Sequence, residues 1–488
     1  MEKPIFSILL ALAVALVALA MLGPLHWSHA TCLAAMFGLV SYPLIHSYLV
    51  DGRIDVCEPV FLFVTLYAYF YIARPLYLLK TGETSTLLGF YMDRATMANA
   101  LLASTLGLFA FLIGYYWGRS RKFTTSFTNF AELDLSRARI IGWLFVGVGL
   151  LAYIYVIFVL GGGWEDTFNT ERTARYYISA KNPYVANLTS LVGAGLVSLC
   201  FLALLDTERR ARWHILIGLM LVYGVVDITY SGSRRFLVNI IFAVLLQRHY
   251  LRKRLNMQRA LPLLMVLIMF SAAWLYIRST MHQGSEAVRE RLTQVQLGQV
   301  IEDMNSQGDN VIFDYLIAII NTVPTTYNYG YGTGLLRFLY FPIPRQLWID
   351  KPENVSRIMT QRYDPLAYLN GASAGTSLVG EWYMEFGWTG IIPGALLLGL
   401  LIGLGYRWML ASMKTQLAVL LYSCGLFSFI GALVRGGMFG AATELAQLTL
   451  PILLLIKLAR MPQLAQLHWP ARVSTPANQT AGYSFTRE

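Results

Sequence analysis

Apolar residues run in long uninterrupted stretches, separated by short polar links, over most of this chain. That spacing predicts membrane-crossing helices, each needing roughly 20 apolar residues to cross a hydrocarbon core of about 30 Å. The runs begin near Ile5, Thr31, Pro59, Met97, Ile140, Val185, Ile215, Phe236, Leu261, Trp388, Leu417 and Ala441, about twelve spans by length and hydropathy. The first run, Ile5 to Leu22, is too long and uninterrupted for a signal-peptide core and reads as the first span. The predicted fold class is an all-α polytopic membrane protein. Residues 1–277 carry helices 1–9, 278–387 form a large loop region with amphipathic helices, 388–460 carry helices 10–12, and 461–488 form a polar tail read as disordered.

Inside the large loop the pattern changes. Val288, Leu292, Val295, Val300 and Ile301 recur at helical spacing among charges, which predicts an amphipathic helix. Asp314 to Val323 is apolar and too short to span, so it is expected to dip back toward the membrane. Tyr340-Phe341-Pro342-Ile343-Pro344-Arg345 breaks helices twice and should be extended. Loops this long are uncommon unless they carry function.

Charge fixes an orientation. The chain is 56% hydrophobic and 13% charged, against roughly 25% charged in soluble domains. A net charge of +11 would point to nucleic acid in a soluble protein. Here it marks cytoplasmic connections instead, and the partner implied is the lipid bilayer, with no nucleic acid. Basic clusters fall on alternate links: Arg119 to Arg139, Arg209 to Arg212, Arg248 to Arg259, Arg407 with Lys414, and Lys457 with Arg460. All lie on one side if both termini are cytoplasmic. Helical runs exclude an outer-membrane barrel. Cys32, Cys57, Cys200 and Cys424 lack paired spacing, and seven histidines show no ligand spacing, so neither a disulfide framework nor a metal is expected. No phosphate-binding loop, zinc-protease motif or dinucleotide fingerprint occurs, and no cofactor is implied.

Chemistry concentrates on the opposite, non-cytoplasmic side. Arg234 and Arg235 sit in the turn of an apolar hairpin whose second arm, even run to Leu251, reaches only about 24 Å. Arginine held at such depth must line a polar cavity or meet an anion, or else snorkel to headgroups. Arg74, beside Pro75, and Arg435, opening an Arg-Gly-Gly-Met-Phe-Gly turn, lie on short links where the positive-inside rule should deplete them. Arg278, Arg345 and Lys351 add charge from the large loop. Guanidinium forks match phosphate oxygens, and several converging would hold a pyrophosphate; each taken singly could equally pair with a carboxylate or headgroup.

Glu381 and Glu385, four residues apart, share a helix face just above the tenth span. Either is a candidate base if burial tunes it, or a salt-bridge partner for the arginines. Asp227 and Glu444 lie within spans, where acids need partners; Arg234 or Arg235, and Arg435, are the nearest candidates. Tyr340, Trp348, Tyr363 and Trp382 offer aromatic faces for sugars, or core and interfacial packing.

Four features together resemble the Wzy-type oligosaccharide repeat-unit polymerases of bacterial O-antigen and exopolysaccharide synthesis. They are Tyr230-Ser-Gly-Ser-Arg-Arg235, Ile343-Pro-Arg-Gln-Leu-Trp-Ile-Asp-Lys-Pro352, the Gly375–Gly390 stretch, and the many-span layout with one dominant loop. The resemblance implies an inner-membrane glycosyltransferase of GT-C-like fold with a periplasmic loop and active site. Such an enzyme transfers a growing glycan from undecaprenyl pyrophosphate to the terminal sugar of an incoming lipid-linked unit, with inversion and without metal. On that reading Arg234, Arg235 and Arg435 clamp pyrophosphate, with Arg345 and Lys351 above them, and Glu381 is the base, Glu385 the reserve. A chain-length-regulating co-polymerase is the partner expected of such a family. Two alternatives stay open: an O-antigen-type ligase, which shares donor and chemistry, and a lipid-linked oligosaccharide flippase or transporter. A transporter would carry charges near the midplane of matched halves, whereas here they gather at one face.

Overall fold

The computed structural model describes residues 2–22, 25–82, 88–89, 91–122, 133–164, 166, 178, 181–206, 210–231, 235–256, 311–340, 343, 347–348, 350–369, 375–412 and 416–460, with isolated positions between 258 and 269. At 2, 210–212, 229, 231, 235, 236, 338, 367, 427 and 439 only the backbone is described. Among the described residues the protein is all-helical. Nine helices are long and apolar enough to cross a membrane, and Trp213–Ile228 and Leu237–Leu251 are shorter apolar helices. These eleven coincide with eleven of the twelve predicted starts; the run from Leu261 lies almost wholly outside the described residues.

In chain order the helices are α1 (Glu2–Met21), α2 (Trp27–Leu49), α3 (Pro59–Ala68), α4 (Arg74–Thr81), α5 (Arg94–Ser120), α6 (Leu135–Ile154), α7 (Pro183–Leu188), α8 (Ser190–Leu205), α9 (Arg210–Ser231) and α10 (Arg235–Leu251). The large loop supplies α11 (Val311–Thr322), α12 (Arg337–Tyr340), α13 (Val355–Tyr363) and α14 (Pro365–Leu369). Then follow α15 (Leu378–Phe386), α16 (Trp388–Ala411), α17 (Gln416–Leu421) and α18 (Phe427–Ala459). π-Helical turns join α3 to α4, extend α6, and join α17 to α18. The face opposite the basic clusters is called the outer face below.

Two large cores hold the bundle, beside a smaller one around Leu246, Tyr406 and Tyr422. One gathers α2–α5, α11, α15 and α16; the other gathers α6, α8, α9 and α10. In lipid there is no hydrophobic drive between helices, so close backbone approach supplies much of the contact. Gly114 and Gly118 of α5 face the Leu396 and Leu400 carbonyls of α16, while Gly399 and Gly403 of α16 face the Phe111 and Tyr115 carbonyls of α5. A Cβ at any of the four would strike backbone.

The last helices tie the cores together. Gly425 faces Leu445 and Thr449, so α17 and the first part of α18 rise while the rest of α18 descends beside them. The base of this hairpin packs in the second core through Leu420 and Leu455, and its tip in the first through Val434 and Ala441. The reversal is made at Gly437, with φ 77° and ψ −176°, backbone space that is essentially glycine's alone. A Cβ there would also lie 2.5 Å from Glu381 Oε2. Gly437→Ala is therefore expected to destabilise by at least about 1–3 kcal/mol, read as a lower melting midpoint in detergent. A midpoint unchanged from wild type would show that the bend is not held there.

α11 is twelve residues long, nearly all buried, lies against α5 and α15, and is among the apolar helices shorter than a membrane span. α10, at 17 residues, extends only about 25 Å, the short second arm expected of the Arg234–Arg235 hairpin.

Candidate functional site

Three elements meet at the tip of the α17–α18 hairpin on the outer face. α15 stands on α16, separated by Gly387, and Ser377 caps it by accepting the Gly380 N–H at 2.9 Å. This presents Glu381, only 4% exposed, to the bend at Gly437, where its carboxylate accepts the Met438 N–H. Met438 opens the descending arm, so Glu381 occupies the positive end of a helix, a setting that favours an anion. Gly375, just before α15, lies against the Arg435 carbonyl. Arg435 itself sits on the last turn of the rising arm, partly exposed.

The third element is α10. Asn239 lies near Gly431 of the rising arm, at 3.8 Å from where a Cβ would be. It also donates to Glu444 of the descending arm at 3.4 Å. One turn toward the outer face from Asn239 is Arg235, and one turn outward from Gly431 is Arg435. The backbone thus starts both arginines from the same height above one helix crossing. The first turn of α10 adds a helix N-terminus whose N–H groups face outward, an anion-binding arrangement. Arg234 lies outside the described residues, as do Arg278 and Arg345.

Glu385, one turn along α15, does different work. Buried to 2% exposure, it accepts the Gly332 N–H at 2.7 Å and the Gly334 N–H at 3.1 Å, pinning the loop before α12 onto α15. Burial raises its carboxyl above the ordinary 4.5, opposed by those two N–H groups. The folded state therefore binds this proton more tightly than the unfolded chain, and stability falls as pH rises from about 4.5 through the raised value. Glu385→Gln should remove that slope from melting midpoints measured across the range. It should also lower the midpoint overall, since an amide turns an N–H toward a glycine N–H. A slope that survives would assign it to another group.

The remaining candidates are placed as follows. Arg74 is fully buried and forms a two-pronged ion pair with Asp314 of α11, Nε to Oδ1 at 3.1 Å and Nη2 to Oδ2 at 3.0 Å. It ties α11 to the start of α4. Lys351 turns inward, donating to the Ile343 carbonyl at 2.9 Å with its amine over the Tyr340 ring. Tyr340 donates to the Thr333 carbonyl at 2.7 Å and pairs with Trp348, ring centroids 5.3 Å apart. Tyr363 lies beside Arg362 at the end of α13. Trp382 is 4% exposed with its indole against Gly394 of α16, a core contact that leaves no face for a sugar. Among the described residues, Tyr153 donates its hydroxyl to Asp227 and Asn239 donates to Glu444; the arginine partners expected of Asp227 lie outside the described side chains.

On the opposite face, Asp55, Cys57 and His249 bring ligand-type atoms within 4.8 Å of one another. The Leu255 N–H donates to His249 Nδ1 at 2.9 Å, which leaves the ring proton on Nε2, 3.1 Å from Asp55 Oδ1. That tautomer offers Asp55 a donor and denies a metal the lone pair. Asp55 also accepts the Tyr250 and Tyr406 hydroxyls, so the cluster ties the link after α2 to the ends of α10 and α16.

Fold and site together define a multi-pass membrane protein with Arg435, Glu381 and the N-terminus of α10 at one end of its helix bundle. The family model of the O-antigen polysaccharide polymerase Wzy matches residues 4–462, nearly the whole chain, and the protein belongs to that family. No curated protein and no solved structure matches it. The family is one of glycosyltransferase-type polymerases that join O-antigen repeat units carried on lipid.

The Arg435-Gly-Gly-Met-Phe-Gly turn read from the sequence is the reversal at Gly437, but three other parts of this arrangement were missed. Asp314 heads an apolar segment and could have been flagged as an acid needing a cation. Gly332 with Gly334, and Asn239, carry no local mark.

Proposed function

We propose that the hairpin tip is the polymerisation site and that it faces the periplasm from the bacterial inner membrane. The donor is a growing glycan on undecaprenyl pyrophosphate; the acceptor is the terminal sugar of an incoming lipid-linked unit. A hydroxyl of that sugar attacks the anomeric carbon of the donor from the face opposite the pyrophosphate. The new glycosidic bond forms as the carbon–oxygen bond to phosphate breaks, which inverts the centre. The hydroxyl proton passes to Glu381, and the electron pair leaves with the lipid pyrophosphate.

The observation that carries this reading is the common height of Arg235 and Arg435 above the Asn239–Gly431 crossing, beside Glu381 at the start of the descending arm. Leaving-group charge is the largest demand in such a transfer, and fixed guanidiniums with helix N-termini answer it without a metal. Arg234 and Arg345 join the clamp in this proposal from the adjoining segments, Lys351 braces the segment that carries Arg345 through the Ile343 carbonyl, and Tyr340 offers an aromatic face for a sugar. Arg74 supports the site from below through Asp314.

The test is purified protein in lipid with a synthetic undecaprenyl-pyrophosphate repeat unit and no nucleotide, metal or gradient. A ladder of glycans on a gel is expected. Folded protein giving no ladder, but transferring glycan to a lipid A core acceptor, would make it a ligase. Translocation without transfer would make it a flippase.

A further inference from the structure

The segment that follows the Glu385-pinned loop is turned inside out relative to a water-facing surface. Its two described cations point inward. Arg337 is 7% exposed and donates to the Pro352 carbonyl at 3.0 Å, and Lys351, also 7% exposed, donates to the Ile343 carbonyl. Its aliphatic side chains point outward: Leu336 is 53% exposed, Leu339 64%, Ile343 41% and Leu347 80%. Soluble surfaces avoid such clustering, and an apolar patch of this kind marks an interaction surface.

The height of the segment says what covers it. α16 begins its membrane run at Trp388, three residues past Glu385. Glu385 holds Gly332 and Gly334, so the chain leaves for Leu336 at the outer boundary of the hydrocarbon. α12 also packs on α18, whose two arms cross the membrane to either side of Gly437. Trp348, 38% exposed against the Tyr340 ring, is the residue type of the membrane–water interface. These contacts place the exposed face beside the outer ends of α16 and α18. We infer that Leu336, Leu339, Ile343, Leu347 and Trp348 form a shelf embedded in the outer leaflet, its occupant the acyl region of bilayer lipid. The shelf fixes the height of the loop against the membrane and floors the approach to the hairpin tip for any lipid-borne ligand. It requires only that the chain span a bilayer and is independent of the polymerase reading.

The experiment places an environment-sensitive fluorophore on Leu339→Cys and, separately, Leu347→Cys, in full-length protein reconstituted in phosphatidylcholine vesicles. The labelled wild type gives the background from native cysteines, and Asp350→Cys, at an exposed polar position, is the aqueous control. Blue-shifted emission quenched by nitroxide-labelled phosphatidylcholine more strongly than by iodide is expected at 339 and 347, with the reverse at 350. Iodide quenching that exceeds nitroxide quenching at both shelf positions would overturn the inference. Leu336→Cys takes the place of either variant that elutes as aggregate. Because no substrate or turnover enters the measurement, its failure is distinct from a failure to polymerise.

Discussion

Arg74→Met should leave this protein scarcely folded. The guanidinium and the Asp314 carboxylate are both fully buried, and removing one member of a buried pair costs about 3–5 kcal/mol because a charge stays behind without compensation. Asp314→Leu should do equal harm from the other side. The double variant, Arg74→Met with Asp314→Leu, removes both charges at similar volume and should recover most of the loss, as buried pairs replaced by apolar residues often do. The measurement is the melting midpoint in detergent for both singles and the double, followed by turnover of the double. Recovered stability with near-normal turnover would fix Arg74 as the anchor of α11. Recovered stability with turnover lost would return it to the pyrophosphate clamp, where its position on a short outer link first suggested it.

That pair marks the boundary of what local pattern can reveal. Hydropathy runs located the spans because each span answers to one local demand, the width of the bilayer. They also located α10 and α11, whose lengths fail that same demand. What they could not supply was which side chain meets which across long separations. Arg74 and Asp314 lie 240 residues apart, and whether Arg74 points into the protein or toward an anion depends on a π turn at Tyr69–Ala73 just before it. A π turn rotates everything after it and has no composition of its own. Glu381 and Glu385 were rightly put on one helix face, but their distinct partners, Met438 for one and a pair of glycines for the other, arise from loops whose course no periodicity records. Trp382 was legible as apolar and aromatic, not as inward, because α15 is buried all round and has no polar face to orient it.

The sharpest loss of activity without loss of fold is expected at Arg435. It sits at the tip of the α17–α18 hairpin, partly exposed, where truncating a side chain costs less than in a core. Arg435→Ala is expected to stay folded, with a melting midpoint that falls far less than its turnover. Its turnover should fall by about 100- to 1,000-fold, the usual result of deleting one fixed donor that stabilises departing charge. Arg435→Lys should recover only part, because an ammonium keeps the charge and loses the two-pronged fit to phosphate. Arg235 starts one turn above the same crossing, so Arg235→Ala should give a comparable loss. The double variant should lose less than the product of the two, since groups that act on one leaving group are not additive. Single-turnover transfer from a lipid-pyrophosphate donor, with melting midpoints measured alongside, reads both quantities. Full activity in folded Arg435→Ala would remove the hairpin tip from the chemistry and with it the clamp proposed there.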